Sequence, residues 1–350
     1  MPDNLDDILE SPEHTLLATD LGNTEGPLWH PEGYLTFVDL VGNRLQRWDQ
    51  TSGVSVVRED TGEGNGCTLD RQGRLLMCEG ADHRRVTRME ADGTITPIAE
   101  RWDGKRFNKP NDVICRTDGT IYFTDPQLRL PEAEREYDFA GVFRISPDGQ
   151  ITVATDGCEY PNGLAFSPDE SVLYVAISRE SQVCFEEQEK GLVCEHRKIR
   201  AFDVATDGCE YPNGLAFSPD ESVLYVAISR ESQVCFEEQE KGLVCEHRKI
   251  RAFDVAGDGT LSNNRVFASM ASAEVGVPDG MKVDTLGRIF CTGSGGIWVF
   301  EPDGTHLGII RGPEVPRNIA FGGPDFRTIY TTPGVSLYSF RVKTPGIRPY

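Results

Sequence analysis

The sequence lacks several features that define common classes of protein. No apolar run approaches the roughly 20 residues of a membrane span. The N-terminal segment MPDNLDDILESPEH is acidic and has no basic-then-apolar signal pattern, so we expect a cytoplasmic rather than a secreted protein. Basic residues are few, 35 Lys and Arg against 56 Asp and Glu, and the net charge of −21 argues against nucleic acid or a membrane surface as a partner.

Common catalytic signatures are also absent. There is no HExxH, GxSxG or Walker sequence, so the chain lacks the residues that define zinc proteases, α/β-hydrolases and NTPases. The ten cysteines contain no CxxC pair, which indicates reduced and mostly buried thiols. Helical periodicity is slight, and only residues 130–139 are typical of a short helical turn, in a loop that covers one face.

Short β-strands repeat along the chain instead. Alternating apolar segments, each preceded by a turn rich in Pro, Asp or Gly, lie at 33–40, 73–80, 119–126, 171–178, 222–229, 287–294 and 327–334. A period of roughly 40–50 residues built from such strands predicts an all-β fold of the β-propeller class. We expect an acidic tail at 1–13 and a single propeller domain at 14–350, with residues 14–20 pairing with 336–342 to close the ring.

One part of the chain is an exact tandem duplication. Residues 153–203 and 204–254 are the same 51 residues, letter for letter. Without the second copy the chain has 299 residues, which suits six blades, and with it there are seven blade-like units. Either the ring expands to seven blades or one copy loops out. A whole blade in phase can pair with neighbours on both sides, which favours seven blades.

One position in each repeat carries a side-chain oxygen. Counting back eight residues from the turn before each alternating segment gives Glu25, Asn65, Asn111, Asn162, Asn213, Asp279 and Asn318. The first strand of a propeller blade lines the central channel, so these side chains are expected to form a ring at one mouth. Oxygen donors suit a hard cation such as Ca²⁺, Mg²⁺ or Mn²⁺. The alternative is that these residues are turn and cap residues, since Asn-Gly and Asp-Gly are common turn dipeptides.

A second set of acids follows the same turns. Six residues beyond the turn glycine lie Asp39, Glu79 and Asp125. Two interpretations are open: these carboxylates contact a polyhydroxylated substrate near the metal, or they are solvated loop acids.

Taken together, these segments resemble the family of gluconolactonases and regucalcin (senescence marker protein). The resemblance rests on NTEGPLWHPEGYLTFVD, GNGCTLDRQGRLLMCEG, RFNKPNDVICRTDGTIYFTDP, YPNGLAFSPDESVLYVA, VPDGMKVDTLGRIFCTG and NIAFGGPDFRTIYTT, which span nearly all of residues 15–343. The bacterial and fungal gluconolactonase branch is the part of the family it resembles most. The resemblance implies a six-bladed propeller with one divalent cation in the channel, Ca²⁺ first, with Zn²⁺, Mg²⁺ and Mn²⁺ as alternatives.

The resemblance also implies roles for single residues. Glu25 of the EGP motif, Asp279 of the PDG motif and the Asn of the PNG motif, either Asn162 or its copy Asn213, correspond to the family's metal ligands. Asn111 corresponds to a residue near the metal or the substrate, and Lys109 stands where regucalcin has Arg.

The implied reaction is metal-assisted hydrolysis of a lactone to an aldonic acid, with Asp279 as proton donor and acceptor and a small-molecule lactone as the partner. Asn111, Lys109 and Asp125 are the predicted substrate contacts. Two alternatives stay open at this point. The same site acts on other esters or organophosphates, or the chain is a calcium-binding propeller without turnover, disabled by its duplication.

Overall fold

The computed structural model describes residues 5–80, 82–127, 130–156, 158, 160–167, 169–177, 199–201, 204–206, 212–229, 244 and 248–348. The chain packs as two compact units. Unit 1 comprises Met1–Glu59 and Pro212–Tyr350, and unit 2 comprises Asp60–Tyr211. Within the described ranges, no helix has the length and hydrophobicity needed to span a membrane.

Four of the sheets lie in unit 1, and each has four antiparallel strands. The strands are β1 (Thr15–Ala18), β2 (Thr24–His30), β3 (Tyr34–Asp39), β4 (Arg44–Asp49), β5 (Gly53–Glu59), β20 (Pro212–Phe217), β21 (Val223–Ile228), β22 (Lys249–Val255), β23 (Leu261–Ser269), β24 (Met281–Val283), β25 (Ile289–Gly293), β26 (Gly296–Phe300), β27 (His306–Ile310), β28 (Asn318–Gly322), β29 (Thr328–Thr332) and β30 (Leu337–Arg341). Three sheets use consecutive strands, β2 to β5, β20 to β23 and β24 to β27, and the fourth has the order β1-β30-β29-β28.

Unit 2 holds three further four-stranded sheets and one two-stranded hairpin. Its strands are β6 (Gly64–Leu69), β7 (Leu75–Glu79), β8 (Arg85–Met89), β9 (Ile95–Ala99), β10 (Arg101–Trp102), β11 (Lys105–Arg106), β12 (Val113–Cys115), β13 (Ile121–Asp125), β14 (Gly141–Ile145), β15 (Ile151–Thr155), β16 (Pro161–Phe166), β17 (Leu173–Ile177), β18 (Ile199–Ala201) and β19 (Val204–Thr206). The four-stranded sheets are β6 to β9, β12 to β15 and β16 to β19, and the hairpin is β10 with β11.

These sheets confirm the predicted all-β propeller class. All seven alternating segments are strands: β3, β7, β13, β17, β21, β25 and β29. The predicted closing pair is also present, since Thr15 of β1 lies opposite Ser339 of β30. The predicted helical turn appears as a single 3-10 turn at Glu132–Glu134.

The duplication supplies the seventh four-stranded sheet of the described chain. The first copy provides β16, β17 and β18, and β19 is the first segment of the second copy. The second copy continues into β20, β21 and most of β22. The described strands of both copies are therefore paired within sheets, and the boundary between the copies falls inside a sheet rather than in a linker between two sheets.

Each unit has its own apolar core. In unit 1 the core includes Leu35, Phe37 and Phe340, and Ile8 from the predicted N-terminal tail is only 1% exposed within it. In unit 2 the rings of Phe107, Phe123 and Phe143 contact one another, with centroids 5.0–5.5 Å apart. These cores fix the strands whose starting ends carry the candidate site. The five described cysteines are free thiols, as expected.

Candidate functional site

The seven oxygen-bearing positions share one structural setting. All are partly buried and lie at the start of the first strand of a sheet or just before it: Glu25, Asn65, Asn111, Asn162, Asn213, Asp279 and Asn318. In four of these strands the pairing register shifts at this point, between Glu25 and Leu28, Gly64 and Cys67, Pro161 and Leu164, and Pro212 and Leu215. Such bulges redirect a side chain and are common beside active sites. Four of the positions belong to unit 1 and three to unit 2.

In unit 1 the four positions lie on neighbouring strands. A Cβ on Gly214, the residue after Asn213, would lie 2.1 Å from the backbone oxygen of Asp279. A Cβ on Gly280, the residue after Asp279, would lie 2.2 Å from Oδ1 of Asn318. The amide Nδ2 of Asn318 donates to Oε2 of Glu25 at 3.2 Å. The chain therefore brings Asn213, Asp279, Asn318 and Glu25 together in that order, and glycine permits the close approach.

This close approach leads to a stability prediction. Gly214→Ala should reduce the free energy of unfolding by about 1–3 kcal/mol, because its Cβ would overlap a backbone oxygen that cannot rotate away. The matched control is Gly257→Ala in the same unit, whose Cβ would have no atom within 4 Å. Thermal unfolding of the two variants checks this. Equal melting temperatures would contradict the packing of the Asn213 and Asp279 strands.

Glu25 has unusual electrostatics for an acid. Burial is the main influence on its carboxyl and raises the pKa, while hydrogen bonds from Asn318 and from the Gly26 N–H and the charge of Arg317 act in the opposite direction. In the described part of the chain, no Lys, Arg or His forms an ion pair with this carboxylate. The nearby Arg317 instead donates to Oδ1 of Asn23 at 2.6 Å. A half-buried carboxylate without an ion pair is costly, and a bound cation would offset that cost.

Hydrogen bonds to the backbone of its two neighbours, Pro278 and Gly280, fix the position of Asp279. The Ser229 hydroxyl donates to the backbone oxygen of Pro278, and the Gly280 N–H donates to the backbone oxygen of Arg317 at 3.1 Å. The pKa of the neighbouring Cys291 thiol is raised, chiefly by burial and then by the negative charge of Asp279. The Asp279 carboxylate therefore lies near β25, at the start of the sheet that β24 opens.

The donor set of unit 1 suits a hard divalent cation. Glu25 and Asp279 supply two negative charges and Asn213 supplies a neutral amide, which matches the oxygen ligands that Ca²⁺ accepts. Asn318 instead directs its Nδ2 at Glu25, and its Oδ1 accepts the Ile319 N–H at 2.9 Å. Among the described residues, no cluster of three or more His, Cys, Asp and Glu side chains is placed to hold a metal. That finding is consistent with a set of only two acids completed by an amide. The residues present therefore fit such an ion.

Unit 2 carries the other three positions. The Gly66 N–H, next to Asn65, donates to the backbone oxygen of Asn111 at 2.8 Å. Thr124 Oγ1 donates to the backbone oxygen of Asn162 at 3.0 Å. Lys109 lies 3.7 Å from the Glu63 carboxylate. Asn162 thus lies with Asn111, whereas its copy Asn213 lies in the same unit as Glu25 and Asp279.

The third predicted substrate contact in unit 2, Asp125, is a fully buried acid. Its side chain is 0% exposed, and Oδ2 accepts hydrogen bonds from the Asn108 N–H at 2.8 Å and from the Tyr137 hydroxyl. Oδ1 has no hydrogen-bond partner among the described residues. Burial raises the pKa of Asp125 to about 7, although hydrogen bonds from Tyr137, Asn108 and Lys109 and the charge of Arg84 oppose the shift. Its contact with substrate stays a prediction.

The raised pKa of Asp125 predicts the pH dependence of stability. Unfolding returns this carboxyl to a pKa of about 3.9, so the folded protein binds its proton more readily. The resulting stabilisation is complete below about pH 4 and is lost as the pH rises through 7. As the pH rises from 4.5 to 8, the stability of Asp125→Asn relative to wild type should therefore increase by about 3 kcal/mol.

Urea unfolding at several pH values measures this difference. Asp118→Asn is the matched control, because the pKa of Asp118 is lowered and its effect is constant over the same range. A difference between Asp125→Asn and wild type that does not change with pH would contradict the assignment.

Asp39 and Glu79 are also buried, at 3% and 0% exposure. Asp39 accepts three backbone N–H groups, and Glu79 accepts from Thr87 Oγ1, at 2.7 Å, and from Arg85 Nε, at 2.8 Å. Neither is a solvated loop acid.

The role of Asn318 beside Glu25 was not assigned from the sequence, although the eight-residue spacing already singled it out.

The fold and the oxygen-bearing side chains of unit 1 define a β-propeller protein with a candidate cation site. The chain matches the family described as SMP-30/Gluconolactonase/LRE-like region over residues 23–191 and 183–334. It is 27% identical to a gluconolactonase of Zymomonas mobilis, covering 98% of this chain and 85% of the relative. It is 29% identical to a pentonolactonase of Haloferax volcanii, covering 88% of this chain and 80% of the relative.

A solved structure shows the same likeness. A gluconolactonase of Xanthomonas campestris superposes with a TM-score of 0.62 at 29% identity, covering 97% of this chain and 92% of that chain. This chain belongs to the SMP-30/gluconolactonase/LRE-like family.

Proposed function

We propose that this protein hydrolyses a sugar lactone to an aldonic acid with one divalent cation, held by Glu25, Asn213 and Asp279. The observation that carries the proposal is the Glu25 carboxylate, which is half-buried and hydrogen-bonded to Asn318 and forms no ion pair with a described residue, although the charge of Arg317 acts on it. Family membership and the lactonase relatives support the reaction class. We propose Ca²⁺ as the ion, with Mg²⁺, Mn²⁺ and Zn²⁺ as alternatives.

The residues divide the work between binding and proton transfer. When bound, the cation would draw electron density from the lactone carbonyl and favour attack by water. Glu25 and Asp279 balance its two positive charges, and Asn213 adds a neutral oxygen. Asp279 takes a proton from the attacking water and returns one to the ring oxygen as the ring opens. Of the two PNG copies we choose Asn213, since the next residue, Gly214, lies against Asp279.

Acid release from glucono-δ-lactone tests the proposal directly. Wild-type protein should hydrolyse the lactone, lose the activity in EDTA and regain it when Ca²⁺ is added back. A pentonolactone should be tested beside it, because one relative is a pentonolactonase. Hydrolysis at an unchanged rate in EDTA would refute the role of the cation. Ca²⁺ binding without turnover on either lactone would instead favour a calcium-binding protein.

A further inference from the structure

Asp39 stands out among the buried acids of unit 1. It ends β3, directly opposite Thr24, the residue that precedes Glu25 in β2. Its Oδ2 accepts the Gly22 N–H at 3.1 Å, and its Oδ1 accepts the Asn23 N–H at 2.9 Å and the Gly42 N–H at 2.8 Å. In the described chain these three backbone donors, and no cationic side chain, satisfy the carboxylate.

Two glycines make room for this carboxylate. A Cβ on Gly22 would lie 2.0 Å from Oδ1 of Asp39, and a Cβ on Gly42 would lie 2.2 Å from Oδ2. Neither glycine has a positive φ, so the backbone conformation itself does not require glycine there. At both glycines, the three atoms nearest to an added Cβ all belong to the Asp39 carboxylate.

The segment that Asp39 holds leads straight to Glu25. Asn23 accepts from Arg317 at 2.6 Å, and the Thr24 N–H donates to the Gly334 oxygen at 2.7 Å. One residue further, Glu25 opposes Val38, and the register then shifts at a bulge. Among the described residues, Glu25 has one side-chain hydrogen-bond partner, Asn318, so the direction of its carboxylate depends on how firmly this backbone is held.

We infer that Asp39 is a positioning residue for the cation site: it anchors the backbone of residues 22–25 and so fixes Glu25 in the direction needed to bind the ion. This inference rests on the proposed cation site and assigns Asp39 no contact with substrate. Outer residues that orient a metal ligand typically change metal affinity by 10–100-fold when they are replaced.

Calorimetric titration with Ca²⁺ tests the inference. Asp39→Asn should weaken Ca²⁺ binding by about 10–100-fold, because it replaces one of the two acceptor oxygens with an N–H₂ group. Gly22→Ala should weaken binding by a similar factor, because it displaces the carboxylate while leaving its charge in place. If both variants weaken Ca²⁺ binding to a similar extent, the effect comes from the position of the Asp39 carboxylate and not from the loss of its charge.

Asp284→Asn is the matched control for lost stability. Asp284 is another fully buried acid of unit 1, and it accepts the backbone N–H groups of Leu286 and Arg288 in the turn at the far end of β24. This variant should also lower the melting temperature but should bind Ca²⁺ as wild type does. If Asp39→Asn and Gly22→Ala both bind Ca²⁺ with wild-type affinity, the inference is wrong.

Glu25→Gln separates failure of this inference from failure of the proposed site. If Glu25→Gln loses Ca²⁺ binding while the Asp39 and Gly22 variants keep it, only the positioning role is refuted. If Glu25→Gln also binds normally, the cation site itself is refuted. Hydrogen exchange of the wild-type protein needs no variant. Ca²⁺ should slow exchange at Gly22 and Asn23, and unchanged exchange there would overturn the inference even if both variants failed to fold.

Discussion

Asp279→Asn should reduce kcat/KM for glucono-δ-lactone by about 10²–10⁴-fold, the range that a general acid or base contributes. The amide has nearly the same shape as the carboxylate, and the backbone around residue 279 keeps its bonds to Ser229 and Arg317. The loss should therefore appear in catalysis while the melting temperature stays close to that of the wild type.

The design of this test depends on a suitable control. Asp284→Asn removes a carboxylate only five positions away in the sequence, in the turn beyond β24, and should leave kcat/KM unchanged. Initial rates across pH 5 to 8 complete the comparison, because the loss of a proton-transferring group removes the corresponding limb of the profile. Normal turnover by Asp279→Asn would place the proton transfer on another residue.

The second large effect is expected on Ca²⁺ binding and distinguishes Asn213 from Asn162, the same residue in the two copies of the repeat. Asn213→Ala should weaken Ca²⁺ binding at least tenfold, since even indirect partners of a metal ligand are worth about 10–100-fold. Asn162→Ala should have little effect on Ca²⁺ affinity. The two residues sit in identical 51-residue sequences, so each is the other's control, and only their surroundings differ. Asn213 adjoins Asp279 through Gly214, whereas Asn162 lies with Asn111.

If residues 204–254 are deleted, Asn162 should take over the contribution of Asn213 to Ca²⁺ binding. The deletion joins Asp203 to Val255 and so restores the sequence KIRAFDV of β22. It also gives Asn162 the 66-position separation from Asp279 that Asn213 has in the full chain. In this shortened protein Asn162→Ala should weaken Ca²⁺ binding. If Asn162→Ala instead weakens binding in the full chain and Asn213→Ala does not, the choice between copies is reversed.

Much of the fold could be predicted because strand patterning is local. Alternation over five or six residues located β3, β13 and β25, and turn residues located their ends. The eight-residue spacing worked for a related reason. A strand and its turn have nearly constant length, so the same count reaches the start of each first strand.

The environment of the second set of acids could not be predicted in this way. Sequence spacing places Asp39 and Asp125 at the end of a strand but does not say what surrounds them. Their burial depends on distant partners, Gly22 and Gly42 for one and Asn108 and Tyr137 for the other. The choice between Asn162 and Asn213 was equally beyond the sequence, because identical residues differ only in their neighbours.

The pairing of β1 with β30 also bears on how the protein is made. Thr15 leaves the ribosome long before its partner Ser339, which lies 324 positions later in the sequence. Sheets built from consecutive strands can form soon after their strands are translated, but this sheet must join β1 to strands that are translated much later, which slows folding. Until β30 has been translated, β1 has an open edge, and the nascent protein is then most exposed to aggregation.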